Sequence, residues 1–179
     1  GDPSKYTIEL SEEKDMNIEA AWEEINDCSS VIVAVIDSGV NYNHEDLSAN
    51  MWDGSGSGYN NHGYDFVDSD DDPMDYNGHG THVSGTIGAV GNNNTGTTGV
   101  CWKVKIMALR VLDVSGSGTT ESIVSAIDFA ATNGANVINM SLGGSYYDQA
   151  FKEAIEDARD AGVLVVVAAG NEDLDLNLS

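Results

Sequence analysis

The stretch Val31-Ile-Val-Ala-Val-Ile-Asp-Ser-Gly39 joins an apolar run to a polar end. Six consecutive apolar residues, most of them β-branched, are typical of a strand that is buried on both faces of a parallel sheet. Asp37 follows this run directly. Burial of a carboxylate is costly unless it accepts hydrogen bonds or lies near a cation. We therefore consider two roles for Asp37: an acid that orients a catalytic histidine, or the cap of a turn or helix.

Strand and helix patterns alternate along the rest of the chain. Further strands are predicted at 105–112, 137–142 and 163–169, helices at 18–25 (with Asn17 as cap), 79–90, 120–133 and 147–161, and an extended N-terminal arm at 1–17. This alternation predicts an α/β fold, a doubly wound three-layer α/β/α structure with a mainly parallel sheet. A length of 179 residues suits a single domain. Ligands of such folds bind outside the carboxyl ends of the strands.

Composition restricts the class of partner. Seven basic and 30 acidic side chains give a formal net charge of −23, which argues against nucleic acid and anionic membranes as partners. The apolar runs are far shorter than the roughly 20 residues of a membrane span. The N-terminus has neither an apolar signal core nor an initiator methionine, as expected of a processed or cut end. Cys28 and Cys101 form either one disulfide, if their Cα atoms lie within about 7 Å, or two buried thiols.

Two further polar residues lie at the ends of predicted elements. His79 stands between two glycines in Asn77-Gly-His-Gly-Thr-His-Val-Ser-Gly-Thr86, where a helix begins, and Asn171 follows the last strand. A zinc site at His79 and His82 is disfavoured, because the glutamate of a His-Glu-x-x-His helix is absent. Each residue taken alone has a structural alternative, a core histidine or a cap. Together with Asp37 they are the acid, base and amide donor of an acyl-transfer site.

These pieces resemble the subtilisin-like serine proteases, the subtilase family that includes subtilisin and thermitase. Asp-Ser-Gly at 37–39 resembles the motif around the family's triad aspartate, and the segment 79–86 resembles its histidine motif. Ala-Ala-Gly-Asn at 168–171 resembles its oxyanion segment. The three motifs occur in the family's order across almost the whole chain. The resemblance implies a single, partial subtilisin-like peptidase domain over 1–179 and a serine endopeptidase that acts on peptides or proteins.

The resemblance also implies a role for each site residue. Asp37 would orient His79 and stabilise its imidazolium, and His79 would take a proton from a serine and pass it to the leaving amine. Asn171 would donate to the tetrahedral oxyanion. Two segments would pair with the substrate backbone, and one acid would lie near the base of the primary specificity pocket. The first segment is Ser115, Gly116, Ser117 and Gly118, and the second is Ser141, Leu142, Gly143 and Gly144. The acid is Glu172.

Calcium is the cofactor that the resemblance implies, at two sites. The first comprises Asp46, Asn93 and the carbonyls of Val90, Thr95 and Thr97, and is closed by Asp2 from the N-terminal arm. The second lies in an acidic loop, as in thermitase-like members, and comprises Asp65, Asp68, Asp70 and Asp72. Four carboxylates that are close together repel one another strongly unless a cation lies among them. The alternative for this loop is a solvated acidic turn.

The family's nucleophile motif, Gly-Thr-Ser-Met-Ala, does not occur in these 179 residues. Each Gly-Thr pair is followed by a residue other than serine, namely His82, Ile87, Thr98 or Thr120. We therefore expect this chain alone to be inactive and to expose apolar surface at the 163–169 edge. It is either part of a longer, secreted serine protease, or a cleaved piece whose C-terminal partner carries the serine. The alternatives are a non-catalytic relative that binds peptides or calcium, and an unrelated α/β binding domain.

Overall fold

The computed structural model describes residues 16–144 and 147–171. In this part of the chain, parallel strands form one five-stranded sheet in the order β2-β3-β1-β4-β5. The strands are β1 (Asp27–Asp37), β2 (Gly63–Asp65), β3 (Lys103–Arg110), β4 (Val137–Met140) and β5 (Leu164–Val167). The helices are α1 (Ile18–Glu24), α2 (His79–Gly88), α3 (Thr120–Thr132) and α4 (Gln149–Asp160). The predicted parallel α/β fold is confirmed.

The apolar run of β1 is the centre of two cores, one on each face of the sheet. Ala34 and Ile36 pack on the face that is covered by α3 and α4. Val33 and Val35 pack on the opposite face, with Val83 and Ile87 of α2 at its margin. Helices therefore cover both faces, which gives the three layers that the alternating pattern predicts. β1 lies between β3 and β4, and the sheet is extended from it on both sides, by β2 beyond β3 and by β5 beyond β4. The carboxyl end of β1 is therefore at a switch point of the strand order, where ligands of such sheets bind.

Some local predictions need correction. Strand β2 was not among the predicted strands, because three residues are too few to show a periodicity. A Cβ on Gly63 would lie 1.7 Å from the Ala108 carbonyl oxygen, so only glycine allows this strand to approach β3. Asn17 does precede α1, but its backbone is left-handed (φ 48°) and its side chain makes no capping hydrogen bond. At a different helix, α4, the side chain of Asp148 does act as the N-cap, since it accepts from two backbone N–H groups of the first turn.

Cys28 and Cys101 form a disulfide, with Cα atoms 5.9 Å apart, so the alternative of two free thiols is wrong. The bond links the beginning of β1 to the loop that follows α2. Trp102, the next residue, meets Trp22 of α1 edge to face, with ring centroids 5.4 Å apart. Trp22 Nε1 also donates to the Val100 carbonyl at 2.8 Å. The disulfide and this aromatic contact together hold α1, β1 and the 90–102 loop against one another.

Strand β5 forms the outer edge of the described sheet and exposes apolar side chains there. Leu164, Val166 and Val167 are 62%, 45% and 56% exposed. Strands of parallel sheets are normally covered on both faces, so such exposure is unusual for a finished sheet. The expectation of an apolar surface at this edge is confirmed. Separately, the described helices include none of the length and apolarity that a membrane span requires.

Candidate active site

The carboxyl end of β1 and the start of α2 bring Asp37 and His79 together. His79 Nδ1 lies 2.8 Å from Asp37 Oδ1. The Asp37 side chain is fully buried, whereas that of His79 is 47% exposed. A carboxylate only accepts hydrogen bonds, so this contact assigns the proton of the neutral imidazole to Nδ1. Nε2 is then the ring nitrogen with a free lone pair, as a general base requires.

Glycines allow this approach. A Cβ on Gly80 would lie 2.1 Å from the Gly39 carbonyl oxygen and 3.1 Å from Asp37 Cβ. Gly39 itself has φ +98°, and a Cβ there would lie 2.5 Å from the Pro73 carbonyl oxygen. A side chain at residue 80 would push α2 away from the end of β1, and one at residue 39 would clash with the backbone of Pro73 and Met74. Gly80 is therefore needed to bring His79 within hydrogen-bonding distance of Asp37, and Gly39 is needed for the 73–74 loop to pack beside them.

Side chains outside α2 satisfy the first backbone N–H groups of this helix, which have no partner within the helix. The N-cap residue Gly78 cannot do so, because it has no side chain. The N–H groups of residues 79, 80 and 81 donate instead to Asn77 Oδ1, Ser38 Oγ and Asp75 Oδ2, at 3.2, 3.0 and 2.9 Å. The start of α2, and with it His79, is therefore fixed by residues of the preceding loop and of the β1 end.

Of these three acceptors, Asp75 makes the most hydrogen bonds in total, and it was not predicted from the sequence. Burial opposes its ionisation, but hydrogen bonds from Thr81, Gly78 and Asn77 outweigh burial and lower the pKa of the Asp75 carboxyl. Its ordinary pKa is 3.8. Because the folded-state value is lower, the stability from this group is present above the ordinary pKa and is lost as the pH falls through the folded-state pKa.

A cleft of about 530 Å³ opens beside His79. Both predicted substrate segments contribute to its lining, through Gly116, Ser117 and Gly118 and through Ser141, Leu142 and Gly143. Sequence analysis missed three further lining residues, Asn77, Leu112 and Ile123. Their only sequence signal is their position beside a motif, at a strand end or on the apolar face of a helix.

The remaining predicted site residues are not among the described residues that line the cleft. Ser115 is not in the cleft lining, and its hydroxyl donates to Asp113 at 2.6 Å. Gly144 is likewise beyond the lining. Asn171 is exposed and follows Gly170, whose φ of +90° turns the chain after β5. Glu172 lies outside the described residues.

The loop at 90–99 closes over the carboxylate of Asp46. Asp46 is 2% exposed, and its two oxygens accept from Asn93 Nδ2 at 2.8 Å and from Thr97 N at 2.9 Å. A Cβ on Gly96 would lie 2.4 Å from Asp46 Oδ2, so glycine is required for the loop to approach so closely. Within the described part of the chain, no basic side chain forms a salt bridge with Asp46. The arrangement is a buried carboxylate that accepts hydrogen bonds from two amide donors of the 90–99 loop.

The other predicted ligands of this site lie in the same loop. Val90 N donates to the Asp46 carbonyl at 2.9 Å, and Thr95 N donates to Asn93 Oδ1 at 3.1 Å. The structure therefore places the four predicted loop residues beside Asp46, with Asn93 and Thr97 in contact with its carboxylate. Asp2 lies outside the described residues.

The acidic loop contains a cation from the chain itself. Arg110, at the end of β3, is 6% exposed, and its Nη1 donates to Asp65 Oδ2 and to Asp68 Oδ2. The guanidinium is thus shared between two of the four carboxylates. Arg110 lies more than 40 residues further along the sequence, so the local pattern of acids did not show this partner.

Asp70 and Asp72 have other partners. Asp70 Oδ1 accepts from the backbone N–H of Asp72 at 2.9 Å, and Asp72 Oδ1 accepts from the Tyr42 hydroxyl at 2.7 Å. Burial and the bond to Asp72 raise the pKa of Tyr42 to about 12. Over 16–144 and 147–171, no three His, Cys, Asp or Glu side chains are arranged to hold a metal ion. The acidic loop as a calcium site stays a prediction.

Comparisons with known proteins agree on one family. The family model described as "Subtilase family" matches residues 29–179. Thermitase of Thermoactinomyces vulgaris is 43% identical over 84% of this chain and 50% of its own length. The halolysin-like extracellular serine protease Nep of Natrialba magadii is 41% identical over 88% of this chain and 29% of its own length.

A solved structure gives the same result for the fold. The crystal structure of a cold adapted subtilisin-like serine proteinase superposes with a TM-score of 0.66 at 40% identity, covering 84% of this chain and 50% of that one. This chain thus spans half or less of the length of these relatives. Because the family model covers most of the chain, and because the sequence and structural comparisons agree, the chain belongs to the subtilase family of serine proteases.

Proposed function

We propose that this chain is part of a serine endopeptidase in which Asp37 and His79 are the acid and the base of an Asp-His-Ser triad. The observation that carries the proposal is the 2.8 Å hydrogen bond between Asp37 and His79 beside an open cleft. The nucleophilic serine would come from outside residues 1–179. Membership of the subtilase family supports this reaction class.

The geometry supports a defined division of roles. His79 Nε2 takes the proton of the serine hydroxyl as its oxygen attacks the scissile carbonyl, and later gives that proton to the leaving amine. Asp37 holds the ring in the correct tautomer and stabilises the imidazolium that forms. The Asn171 amide donates to the oxyanion of the tetrahedral intermediate, where charge develops.

The substrate is an extended peptide. Its backbone adds to the cleft between the 116–118 and 141–143 segments, in the manner of a strand added to an edge. Glycines in both segments leave room for a second backbone to approach. This arrangement accounts for a cleft with small lining residues on both segments.

The exposed apolar side chains of β5 support a further part of the protease beside this strand. Burial of Leu164, Val166 and Val167 would remove apolar surface from water, which is the main favourable term in such associations. The partner is either the continuation of the same polypeptide or a C-terminal fragment that carries the serine. An extracellular location is proposed because the Cys28–Cys101 disulfide persists in oxidising compartments and because the relative Nep is extracellular.

The test of the proposed function is hydrolysis of a peptide substrate by the protein that carries this chain. We expect His79→Ala to lower kcat by several orders of magnitude with little change in Tm, because the general base is lost while the side chain is half exposed. Peptide binding without hydrolysis in the unaltered protein would instead favour the alternative, a non-catalytic relative that binds peptides or calcium.

We also propose that Ca²⁺ binds at the Asp46 loop. Asp46, Asn93 and the carbonyls of Val90, Thr95 and Thr97 would hold it, and these are the oxygen ligands that Ca²⁺ prefers. A buried carboxylate without a basic partner is unfavourable, and a bound cation would remove that penalty. The ion would supply a fixed positive charge that ties the 90–99 loop to the body of the domain.

Calcium removal gives a direct prediction. We expect EDTA to lower Tm by about 10 °C, because an ion present at a thousandfold excess over its Kd stabilises the native state by roughly 4 kcal/mol. Differential scanning calorimetry with and without calcium measures the shift. Asp46→Asn should abolish the calcium dependence, whereas Asp70→Asn, in the acidic loop, should preserve it. An unchanged Tm in EDTA would contradict the calcium proposal.

A further inference from the structure

We propose that Asp75 is a positioning residue that sets the geometry of the Asp37–His79 pair; this inference rests on the proposed function of that pair. Asp75 belongs to neither β1 nor α2, yet it binds Ser38, the residue directly after β1, and Thr81 in the first turn of α2. It therefore connects the element that carries the acid to the element that carries the base.

One oxygen of Asp75 binds the end of β1. Asp75 Oδ1 accepts from the Ser38 hydroxyl at 2.9 Å, and the same hydroxyl accepts from the Gly80 N–H at 3.0 Å. Ser38 N in turn donates to Asp37 Oδ1 at 2.7 Å, the oxygen that contacts His79. A continuous path of hydrogen bonds therefore runs from Asp75 through Ser38 to the catalytic aspartate.

The other oxygen of Asp75 binds the first turn of α2. Asp75 Oδ2 accepts from the backbone N–H of Thr81 at 2.9 Å and from its hydroxyl at 2.6 Å. Asp75 Oδ1 also accepts from the backbone N–H groups of Asn77 and Gly78, at 2.9 and 2.8 Å. Five donors thus converge on one carboxylate, and His79 lies between the two ends of the segment that they hold.

Every contact of Asp75 is with a donor, so its charge and its acceptor capacity both matter. An asparagine at this position would turn an NH₂ group toward one set of these donors, either toward Ser38 or toward Thr81. Both outcomes separate the β1 end from the α2 start. A displacement of even about 1 Å at a catalytic group can lower the rate roughly 100-fold.

The test compares Asp75→Asn with Asp53→Asn in the protein that carries this chain. Asp53 is a matched control, because it also accepts from a backbone N–H in a turn, that of Ser55, but lies outside the active site. The activity readout is kcat and KM on a peptide substrate. The second readout is the low-field proton NMR signal of the His79 Nδ1–H···Asp37 bond, assigned by its loss in His79→Ala. Thermal unfolding is followed in parallel.

We expect Asp75→Asn to lower kcat by roughly 10- to 100-fold with little change in KM. We also expect it to shift the His79 signal upfield or abolish it, whereas Asp53→Asn changes neither. Ser38→Ala removes the hydroxyl that links Asp75 to the Gly80 N–H, whereas the backbone bond from Ser38 N to Asp37 and the other four donors to Asp75 remain. It should therefore shift the signal in the same direction with a smaller loss of kcat. If Asp75→Asn does not fold, Ser38→Ala decides the question.

An unchanged His79 signal in the folded variants, with only Tm reduced, would overturn the inference and leave Asp75 a purely structural residue. Failure of the proposed function is separable from this result. If the unaltered protein does not hydrolyse peptides, the triad assignment fails, but the NMR signal still shows whether Asp75 positions His79.

Discussion

Asp37→Asn is expected to lower kcat about 10⁴-fold, a magnitude taken from serine proteases with the same triad. The physical reason is the tautomer of His79. An asparagine amide can donate to Nδ1, which would leave the proton on Nε2, where the serine needs a base. The side chain of Asp37 is buried and the substitution conserves its shape, so we expect the fold to persist.

This expectation is checked by steady-state kinetics at saturating peptide, together with circular dichroism to confirm folding. Asp27→Asn is the matched control: Asp27 also accepts from a backbone N–H, that of Ser29, but is remote from His79 and exposed. Its kcat should remain within about twofold of the unaltered protein, as usual for a surface substitution far from the chemistry. A kcat of Asp37→Asn within tenfold of normal would remove Asp37 from the triad.

Loss of the Cys28–Cys101 disulfide should produce the largest change in stability. The bond closes a loop with a sequence separation of 73 residues. In the chain-entropy model, a loop of this length corresponds to about 4 kcal/mol of stability, because the crosslink restricts the unfolded chain. The double substitution Cys28→Ser/Cys101→Ser should therefore lower the free energy of unfolding by about this amount.

Urea unfolding without reductant measures the difference, and Trp22 and Trp102, next to the bond, provide a fluorescence signal. The unaltered protein in dithiothreitol should match the double variant, which separates loss of the crosslink from any effect of the serines. A difference below about 1 kcal/mol would mean that native-state strain or residual unfolded structure cancels the entropy term.

Much of the fold was predictable because the patterns that define it are local. The run at 31–36 specifies a central strand regardless of its neighbours. Glycines follow α3 and α4 at 134 and 162 with positive φ, which is typical of helix C-termini. Strand β2 was not predictable, because it has three residues and exists through pairing with β3. The prediction that Asn17 caps α1 was wrong. Asparagine is a preferred N-cap residue, but the left-handed backbone at Asn17 is not the extended conformation from which such a side chain caps a helix.

For the candidate active site, the sequence identified the main residues but not their distances or their long-range partners. The motifs identified Asp37 and His79, but the distance between them depends on how closely Gly80 lets α2 approach the end of β1. Arg110 and the disulfide involve residues far apart in sequence, which no local pattern pairs. Asp75 lies in a stretch with many aspartates, and only its contacts in space distinguish it from its neighbours.

The most direct test of the central claim is the intact mass of the natural protein that contains these residues, with and without a fluorophosphonate serine probe. We expect one probe mass on a longer chain, or on a fragment associated with this one, and no labelling of His79→Ala. A protein that folds, has no associated fragment and remains unlabelled would contradict the account and would make this chain a non-catalytic member of its family.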